Sequence, residues 1–482
     1  MNIKSIHWIA GLFVLFFTSA CSVQSNKSDR PDWYHAVGAR QVPTSETLFS
    51  ANDYGAQARE GVLNTQAIQA AIDACAEQGG GRVSLQPGTY LTGSIYLKSG
   101  VHFHLPKGVT LLGSTNIQDY PDIDTRVAGI EMIWPSALIN VLDQSNVKIS
   151  GEGIIDGQGK VFWDLYWEMR KDYETKGLRW IVDYDCKRPR TLLVSESEDV
   201  TIEGLNFQRA GFWTIQLLYS SHCTVDGVTV RNNIGGHGPS TDGIDIDSSN
   251  HILIENCDVD CNDDTYCLKA GRDADGLRVN RPTEYIVIRN NIARKGAALI
   301  TCGSETSGSI RHVRVENMQA FGTSQGFLLK SALVRGGVVE DIQVDSCSID
   351  GARSAFVVSI NWNPAYSYST LPEAYEGQEL PAHWYKLLEH VEPASKGIPT
   401  FRDIRFTNTR VTNTRNLMTV RGDSASLIQN VYIAHIDADV QNLGSVKHIQ
   451  NWTLENVRVA EGTVLLDGET LVLDTLATTA KK

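Results

Sequence analysis

The sequence predicts an all-β fold, a parallel β-helix whose N-terminal end is closed by one capping helix. Alternating apolar and polar segments of strand length recur along the chain, most often about 25 to 33 residues apart, an interval typical of stacked repeats. Asn or Gly often ends such a segment, as at Asn256 and Asn290, because these residues tolerate the left-handed turn conformation. A strand and turn this short cannot bury an apolar face alone, so successive units are expected to stack.

The predicted capping helix covers Asn64 to Gln78. Its apolar residues Ile68, Ile72 and Cys75 follow helical spacing, and the glycines after Gln78 end it. An antiparallel sandwich is the alternative fold, but it needs turn signals every ~8 to 12 residues, and these are scarce. Strand patterns with a period of two follow the helix, starting at Val147, Val200, Cys223, His251, Glu284, His312, Asp341, Asp403, Asn430 and Asn451.

Two long segments, residues 160–190 and 363–400, interrupt this repeat. Long excursions from a stack of repeats usually emerge together on one face, and that face often binds the ligand. The alternative is that they form a lateral flap with no part in binding. The sequence leaves both possibilities open.

The N-terminal segment indicates export. Lys4 precedes a mostly apolar run, residues 9–17, that is too short to span a bilayer and is typical of a signal peptide. The small residues before Cys21 resemble a bacterial lipoprotein signal, although Thr18 occupies a usually aliphatic position; an ordinary secretory signal is the alternative. We therefore predict a monomer in the periplasm or outer membrane of a Gram-negative bacterium, attached to the membrane only through a lipid on Cys21.

These observations divide the chain into four predicted parts. The parts are a lipoprotein-type signal (residues 1–21), a polar tether (22–45), one β-helix domain (46–470) and a tail (471–482).

Composition limits the partners and cofactors. The length of 482 residues is enough for one large or two ordinary domains. The hydrophobic content of 42% allows a sizeable core. The formal net charge of −13 excludes broad non-specific nucleic-acid binding, which requires a basic surface. Cys257, Cys261 and Cys267 lack the spacing of a zinc site, so we expect buried free thiols and neither a metal nor another cofactor.

Two clusters of aspartates lie about one predicted coil apart, Asp242 and Asp245 in "STDGIDID" and Asp263 and Asp264 in "CNDDTYC". One coil returns the chain to a point about 4.8 Å above its start, so the clusters are expected to stack on one face. Crowded carboxylates raise the pKa of at least one of them, so one can stay protonated while another stays ionised. Glycoside hydrolysis requires this division between an acid and a base.

The aspartate signal also has a structural explanation, because aspartates are common in exposed turns. Adjacent residues on a regular strand face opposite ways, so Asp263 and Asp264 can share a cleft only if a turn or bulge intervenes. Two further aspartates, Asp247 and Asp258, are assigned to solvated turns.

The motifs "STDGIDID", "CNDDTYCLKAGRDADG", "CGSETSG" and "FLLKS", in this order, resemble glycoside hydrolase family 28, which includes polygalacturonases and rhamnogalacturonan hydrolases. The resemblance runs from about Asn52 to about Val440. It implies an inverting hydrolase of acidic plant-type or algal polysaccharide, built on a right-handed parallel β-helix.

The resemblance also assigns roles to individual residues. Asp263 is similar to the general acid of the family, and Asp242 and Asp264 to the pair that activates water. Asp245 is similar to a supporting carboxylate. Lys330 resembles the lysine that holds a uronate carboxylate before the scissile bond.

Two departures from the family pattern affect the predicted substrate. Ala298 stands where the family has a histidine, and Leu328 where it has an arginine. Leucine cannot give a carboxylate two parallel hydrogen bonds, so the sugar after the scissile bond is expected not to be galacturonate. This double loss resembles the rhamnogalacturonan-cleaving branch and predicts cleavage between galacturonate and rhamnose. Exo- or endo-hydrolysis of polygalacturonan is the alternative.

Other polar and aromatic residues near these motifs are weaker candidates for substrate binding. His237 either supplies an imidazole to the cleft or is an ordinary loop histidine. Lys269, Arg272 and Arg278 either line an anionic groove or pair with the aspartates of "RDADG". Trp213 is either a stacking platform for sugar or part of the core.

Two other classes of function stay open on sequence grounds. A calcium-dependent polysaccharide lyase could use a similar scaffold, but the expected arrangement of an arginine base is missing. A β-helix that binds glycans without cleaving them is the second, and the missing histidine favours it.

Overall fold

The structure is a computed structural model that describes residues 30–459 and the strands 462–466, 469–473 and 478–480. Residues 33–482 form one compact unit, and nearly all its strands belong to one continuous, mostly parallel sheet system that coils around an apolar core. The predicted parallel β-helix is confirmed. Its crossovers are right-handed, the hand that parallel connections adopt.

Three stacks of parallel strands form the coil, and each turn after the first strand, Leu48–Ser50, contributes one strand to each stack. Stack A contains Leu48–Ser50, Gly81–Ser84, Val101–Leu105, Ser145–Gly151, Glu198–Glu203, Ser221–Asp226, Asn250–Glu255, Thr283–Arg289, Ile310–Glu316 and Val338–Asp345. Stack B contains Gly88–Thr92, Val109–Gly113, Ile154–Asp156, Asn206–Gln208, Thr229–Arg231, Asp258–Asp260, Ile292–Ala293, Gln319–Phe321 and Ser348–Asp350. Stack C contains Ile95–Leu97, Ile139–Leu142, Leu192–Ser195, Ile215–Leu218, Ile244–Asp247, Tyr266–Lys269, Ala298–Cys302, Gln325–Lys330 and Ser354–Ser359.

Longer strands complete the C-terminal end. Thr400–Arg421 pairs with the last strand of all three stacks, and Ile428–Lys447 and Ile449–Val459 extend the coil beyond it. The short strands Gly462–Leu466, Glu469–Leu473 and Thr478–Ala480 follow, so the predicted tail contains strand. A separate antiparallel hairpin, Asp122–Val127 and Ile130–Pro135, projects from the coil.

The predicted capping helix is confirmed as Thr65–Glu77, and its apolar residues Ile68, Ile72 and Cys75 are fully buried against the first coils. The first excursion contains Lys160–Thr175 and Val182–Asp185, and the second contains Pro364–Ser367 and Ala382–Leu388. The helix Asp273–Val279 lies between the strands Tyr266–Lys269 and Thr283–Arg289. The 3₁₀ turns are Asp32–His35, Ala51–Tyr54, Ile117–Asp119, Glu373–Tyr375 and Ala394–Gly397. No helix in the described ranges is long and apolar enough to cross a membrane.

The core confirms the stacking argument. Ile246, for example, lies in register between Leu217 and Leu268 of the neighbouring coils, and all three side chains are fully buried. Each coil therefore covers the apolar face that the next one could not bury alone. The eight cysteines in the described residues are buried and unpaired, as predicted.

Part of the predicted tether packs on the β-helix. The Tyr34 ring is buried, the Ala39 amide donates to Thr224 Oγ1 at 2.9 Å, and Arg40 forms an ion pair with Asp199 at 2.8 Å. Side-chain contacts thus fix these residues along stack A, and the division into tether and domain stays a prediction. The predicted signal peptide and the lipidation site Cys21 lie outside the described residues, so export and lipidation stay predictions.

Candidate active site

The two aspartate motifs lie on adjacent coils of stack C. Strand Ile244–Asp247 pairs in parallel with Tyr266–Lys269, so that Asp245 lies opposite Cys267 and Asp247 opposite Lys269. The Gly243 amide, next to Asp242, donates to the Asp264 carbonyl at 2.9 Å. The sequence spacing of about one coil therefore brings the clusters one above the other, as expected.

A bend places both adjacent aspartates in one cavity. The chain bends at residues 262–263, before the strand that begins at Tyr266, which removes the alternation that would separate Asp263 from Asp264. Both line a cavity of about 80 Å³. The other residues lining the cavity are Ala128, Arg179, Asp183, Phe212, Trp213, Ser240, Asp242, Lys269, Ser304, Glu305, Lys330, Trp362 and Tyr366.

Asp264 is held as a carboxylate. Its Oδ2 accepts a hydrogen bond from Lys330 Nζ at 2.9 Å, and its Oδ1 accepts one from Thr301 Oγ1 at 2.8 Å. Burial alone would raise the pKa of Asp264, but the charges of Lys330 and Lys269 lower it below its ordinary value. A carboxylate that stays ionised can accept a proton.

The pKa of Asp263 is shifted in the opposite direction. Its side chain is half-buried in the cavity wall, and its Oδ1 accepts a hydrogen bond from the Asp264 amide at 3.0 Å. Burial and the neighbouring Asp264 carboxylate raise the pKa of Asp263 to about 6. A carboxyl that keeps its proton in weakly acidic solution can donate it.

Lys269, a buried lysine of the cavity wall, lies among three further acids. Lys269 Nζ lies 3.4 Å from Asp242 and 3.5 Å from Asp245, and its third neighbour, Glu305, is 3.6 Å away. Burial and nearby carboxylates raise the pKa of Asp242 well above its ordinary value, and burial raises that of Asp245 to about 8. For Glu305, burial is outweighed by Lys269 and other cations, which lower the pKa to about 2.

One group of donors in this cavity approaches the geometry of a metal site. Oxygen atoms of Asp242 and Asp264 and the Cys267 sulfur lie within 4.8 Å of one another. Lys269 and Lys330 contact the same two carboxylates. The two ammonium groups lie 3.4 and 2.9 Å from these carboxylates and would repel a metal cation. This set of donors therefore fits a metal poorly.

Both excursions reach the cavity. The first contributes Arg179 and Asp183, and the second contributes Tyr366. They also pack against each other, with the rings of Trp180 and Trp384 5.5 Å apart. The excursions therefore form part of the wall around the aspartates, as the binding-face alternative expects.

Residues 75–371, more than half of the chain, match glycosyl hydrolases family 28. The chain belongs to this family. It is therefore a glycoside hydrolase, and the predicted resemblance is confirmed. The lyase and the non-catalytic β-helix are not supported by this membership.

The chain is 28% identical over 360 residues to a "Probable polygalacturonase" of Vitis vinifera, covering 72% of this chain and 70% of that protein. It is 25% identical over 456 residues to an "Endo-polygalacturonase" of Pectobacterium carotovorum subsp. carotovorum, covering 91% of this chain and 96% of that protein. A solved exopolygalacturonase from Thermotoga maritima superposes with a TM-score of 0.71 at 23% identity, over 93% of this chain and 99% of that one. This structural similarity supports the fold.

The two positions predicted from the sequence to depart from the family 28 pattern are both buried. Ala298 is fully buried, and its carbonyl accepts a hydrogen bond from Thr265 Oγ1 at 2.6 Å. Leu328 is 7% exposed, lies in register between Thr301 and Val357, and does not line the cavity. Neither side chain offers a hydrogen bond to a sugar.

The basic and aromatic candidates for substrate binding lie in different environments. Lys269 and Trp213 are buried in the cavity wall, with the Lys269 ammonium 5.1 Å from the centre of the Trp213 ring. Arg272 and Arg278 form ion pairs with the aspartates of their own segment, at 3.0 and 2.8 Å, which confirms that alternative. The His237 side chain is exposed and does not line the cavity, so the structure gives it no contact with the aspartates.

The prediction that Asp247 is solvated is wrong. Its side chain is fully buried in stack C and forms a salt bridge with Arg126 of the hairpin at 3.0 Å. Asp258 is half-buried in stack B and pairs with Arg231 and Arg294. Strand alternation alone cannot reveal that a separate hairpin covers this face.

Sequence reasoning missed Glu305, Arg179 and Asp183. Glu305 follows directly after the Gly-Ser of "CGSETSG", so its position within a motif was an available signal. Arg179 and Asp183 lie in the first excursion, where no repeat relates them to the aspartate clusters.

Proposed function

We propose that this family 28 enzyme hydrolyses α-linked galacturonate in pectic polysaccharide, with polygalacturonan as its first candidate substrate. The observation that carries the proposal is that the adjacent carboxyl groups of Asp263 and Asp264 line one cavity while the Lys330 ammonium contacts Asp264 at 2.9 Å. The opposite directions of their pKa shifts agree with this geometry. The polygalacturonases to which the chain is similar support this substrate class.

In the proposed reaction Asp263 protonates the glycosidic oxygen while the bond to the anomeric carbon breaks. Asp264, with Asp242 beside it, accepts a proton from the water that attacks the opposite face of the sugar. Inversion of the anomeric configuration follows from a single displacement of this kind. Lys330 keeps Asp264 ionised through the 2.9 Å contact, and we further propose that it contacts the carboxylate of the sugar before the bond.

Cleavage between galacturonate and rhamnose is the second candidate. One observation favours it: Leu328, predicted from the sequence to occupy the position of the family arginine, is apolar and mostly buried. Rhamnose has no carboxylate and would not need a guanidinium there.

The test is incubation of the protein with polygalacturonate and, separately, with a rhamnogalacturonan backbone. Chromatography of the products identifies the bond that is cut, and product size separates exo from endo attack. Proton NMR at early times is expected to show products of the β configuration. Products with unsaturated, ultraviolet-absorbing ends, or binding of both polymers without any product, would contradict the proposal.

The pH dependence of kcat/KM should have its alkaline limb near pH 6. Raising the pH through about 6 removes the proton from Asp263 and with it the general acid, so activity falls. The acid limb should lie below pH 4, because the lowered pKa of Asp264 keeps the base ionised until then. Initial rates between pH 3 and pH 8 at constant ionic strength check this profile. An alkaline limb above pH 8 would contradict the assigned acid.

A further inference from the structure

The first excursion contributes a cation, Arg179, to the cavity. No repeat motif predicts this residue. Arg179 lies in the turn between helices Lys160–Thr175 and Val182–Asp185 and lines the same cavity as Asp263 and Asp264. Its side chain is 17% exposed, against 5% for Lys269 and 6% for Lys330. Of these three cavity cations, Arg179 is therefore the most accessible to a ligand.

The charges of the two lysines are already balanced by protein carboxylates. Lys330 donates to Asp264 at 2.9 Å, and Lys269 lies within 3.6 Å of three acids. The uronate carboxylate that we propose at Lys330 would have to share the ammonium with Asp264, so a further carboxylate in the cavity needs another cation.

The charge of Arg179 is not balanced in this way, because its partner Asp183 also interacts with a second guanidinium group. Its Nη1 donates to Asp183 at 2.6 Å, but Asp183 also lies 3.6 Å from the buried guanidinium of Arg188 and accepts a hydrogen bond from Tyr166. Two guanidinium groups thus face one carboxylate, which leaves one net positive charge. Among the described residues Arg179 makes no other hydrogen bond, so most of its five N–H donors remain for a ligand.

The second excursion fixes the orientation of this guanidinium. Its central carbon lies 5.2 Å from the centre of the Tyr366 ring, which also lines the cavity. A planar guanidinium supported on an aromatic face loses little further freedom when it binds a carboxylate in two parallel hydrogen bonds. Leu328, predicted to occupy the position of the family arginine, cannot make this contact.

We propose that Arg179 binds the carboxylate of a galacturonate unit in the cavity and sets the preference for a charged over a neutral sugar. This inference rests on the proposed function for its substrate class. It assigns to a residue of the first excursion the recognition that the leucine at position 328 cannot provide.

The test compares the variants Arg179→Leu and Arg179→Lys with the unaltered enzyme on polygalacturonate and on its fully methyl-esterified form. For Arg179→Leu we expect kcat/KM on the free acid to fall about 10- to 100-fold, mainly through KM, because a charge-assisted pair is lost. On the ester the change should stay below about threefold, since no carboxylate is present to bind. Arg179→Lys keeps the positive charge but cannot form two parallel hydrogen bonds with a carboxylate. Its kcat/KM on the free acid should therefore lie between that of the unaltered enzyme and that of Arg179→Leu.

Arg170→Leu is the matched control. Arg170 belongs to the same excursion, pairs with an acid four residues away at 2.8 Å and lies 5.6 Å from the Trp167 ring, but it does not line the cavity. Thermal unfolding checks that all variants fold; Asp183 keeps Arg188 as a partner when Arg179 is removed. Equal losses on acid and ester, or no loss on either, would overturn the inference.

A separate binding measurement distinguishes failure of this inference from failure of the proposed function. If the unaltered enzyme cleaves neither polymer, calorimetric titration with galacturonate and with galactose decides the role of Arg179. Preferential binding of galacturonate that disappears in Arg179→Leu supports the inference without the activity. Equal affinity for the two sugars, or a preference unchanged in the variant, overturns it.

Discussion

Replacing Asp263 by asparagine should reduce kcat by about 10²- to 10⁴-fold, the usual contribution of a general acid. Asparagine keeps the shape of the side chain and its hydrogen bond from the Asp264 amide but has no proton to donate to a leaving oxygen. KM should change little. Folding should not suffer, because the substitution removes one of several crowded acids. Initial rates on polygalacturonate, together with urea unfolding, check both expectations.

A substrate with a better leaving group makes this test specific for acid catalysis. A nitrophenyl galacturonide needs little protonation of its leaving oxygen, so the loss in Asp263→Asn should be much smaller on it than on the polymer. The control is Asp437→Asn, an exposed aspartate far along the coil, which should leave both rates unchanged. Retention of more than a tenth of the activity on the polymer, or an equal loss on both substrates, would show that Asp263 is not the acid.

Replacing Lys269 by methionine should lower the free energy of unfolding by about 3 to 5 kcal/mol at pH 7, the typical cost of breaking a buried charge pair. Methionine is similar in length, but it leaves Asp242, Asp245 and Glu305 without the ammonium that lies within 3.6 Å of each. Activity should also fall, because the pKa values of these acids and of Asp264 would rise without this charge.

The pH dependence of this loss has a definite sign. Lys269 holds the folded-state pKa of Glu305 at about 2 and that of Asp264 below its ordinary value, so both carboxylates add stability above their unfolded pKa of about 4. Without Lys269 both folded-state pKa values rise and this stability is lost at pH 7. Protonation relieves the uncompensated charges as the pH falls, so the deficit should be smaller at pH 5 than at pH 7. Urea unfolding at both values measures it, with the exposed Lys295→Met as control. A deficit below 1 kcal/mol, or one that grows at pH 5, would refute the proposed charge balance.

Local sequence determined the architecture because a β-helix is built from neighbours in a regular series. The alternation within strands fixed which side chains face the core, and the interval between strands fixed which residues stack. The Thr65–Glu77 helix and the two aspartate clusters could be predicted on this basis. The shared cavity of Asp263 and Asp264 needed one further element, the bend before Tyr266, which strand periodicity does not encode.

By itself, then, the sequence determined the coil, its capping helix and the overlap of Asp242 with Asp263 and Asp264. Only the tertiary structure decided what surrounds them: the hairpin residue Arg126 that buries Asp247, and the excursion residues Arg179 and Tyr366 that complete the cavity. The physical reason is that a repeat constrains the path of the chain only while it lasts. Excursions return to the coil through side-chain packing and charge pairing across long sequence separations, which no local pattern specifies.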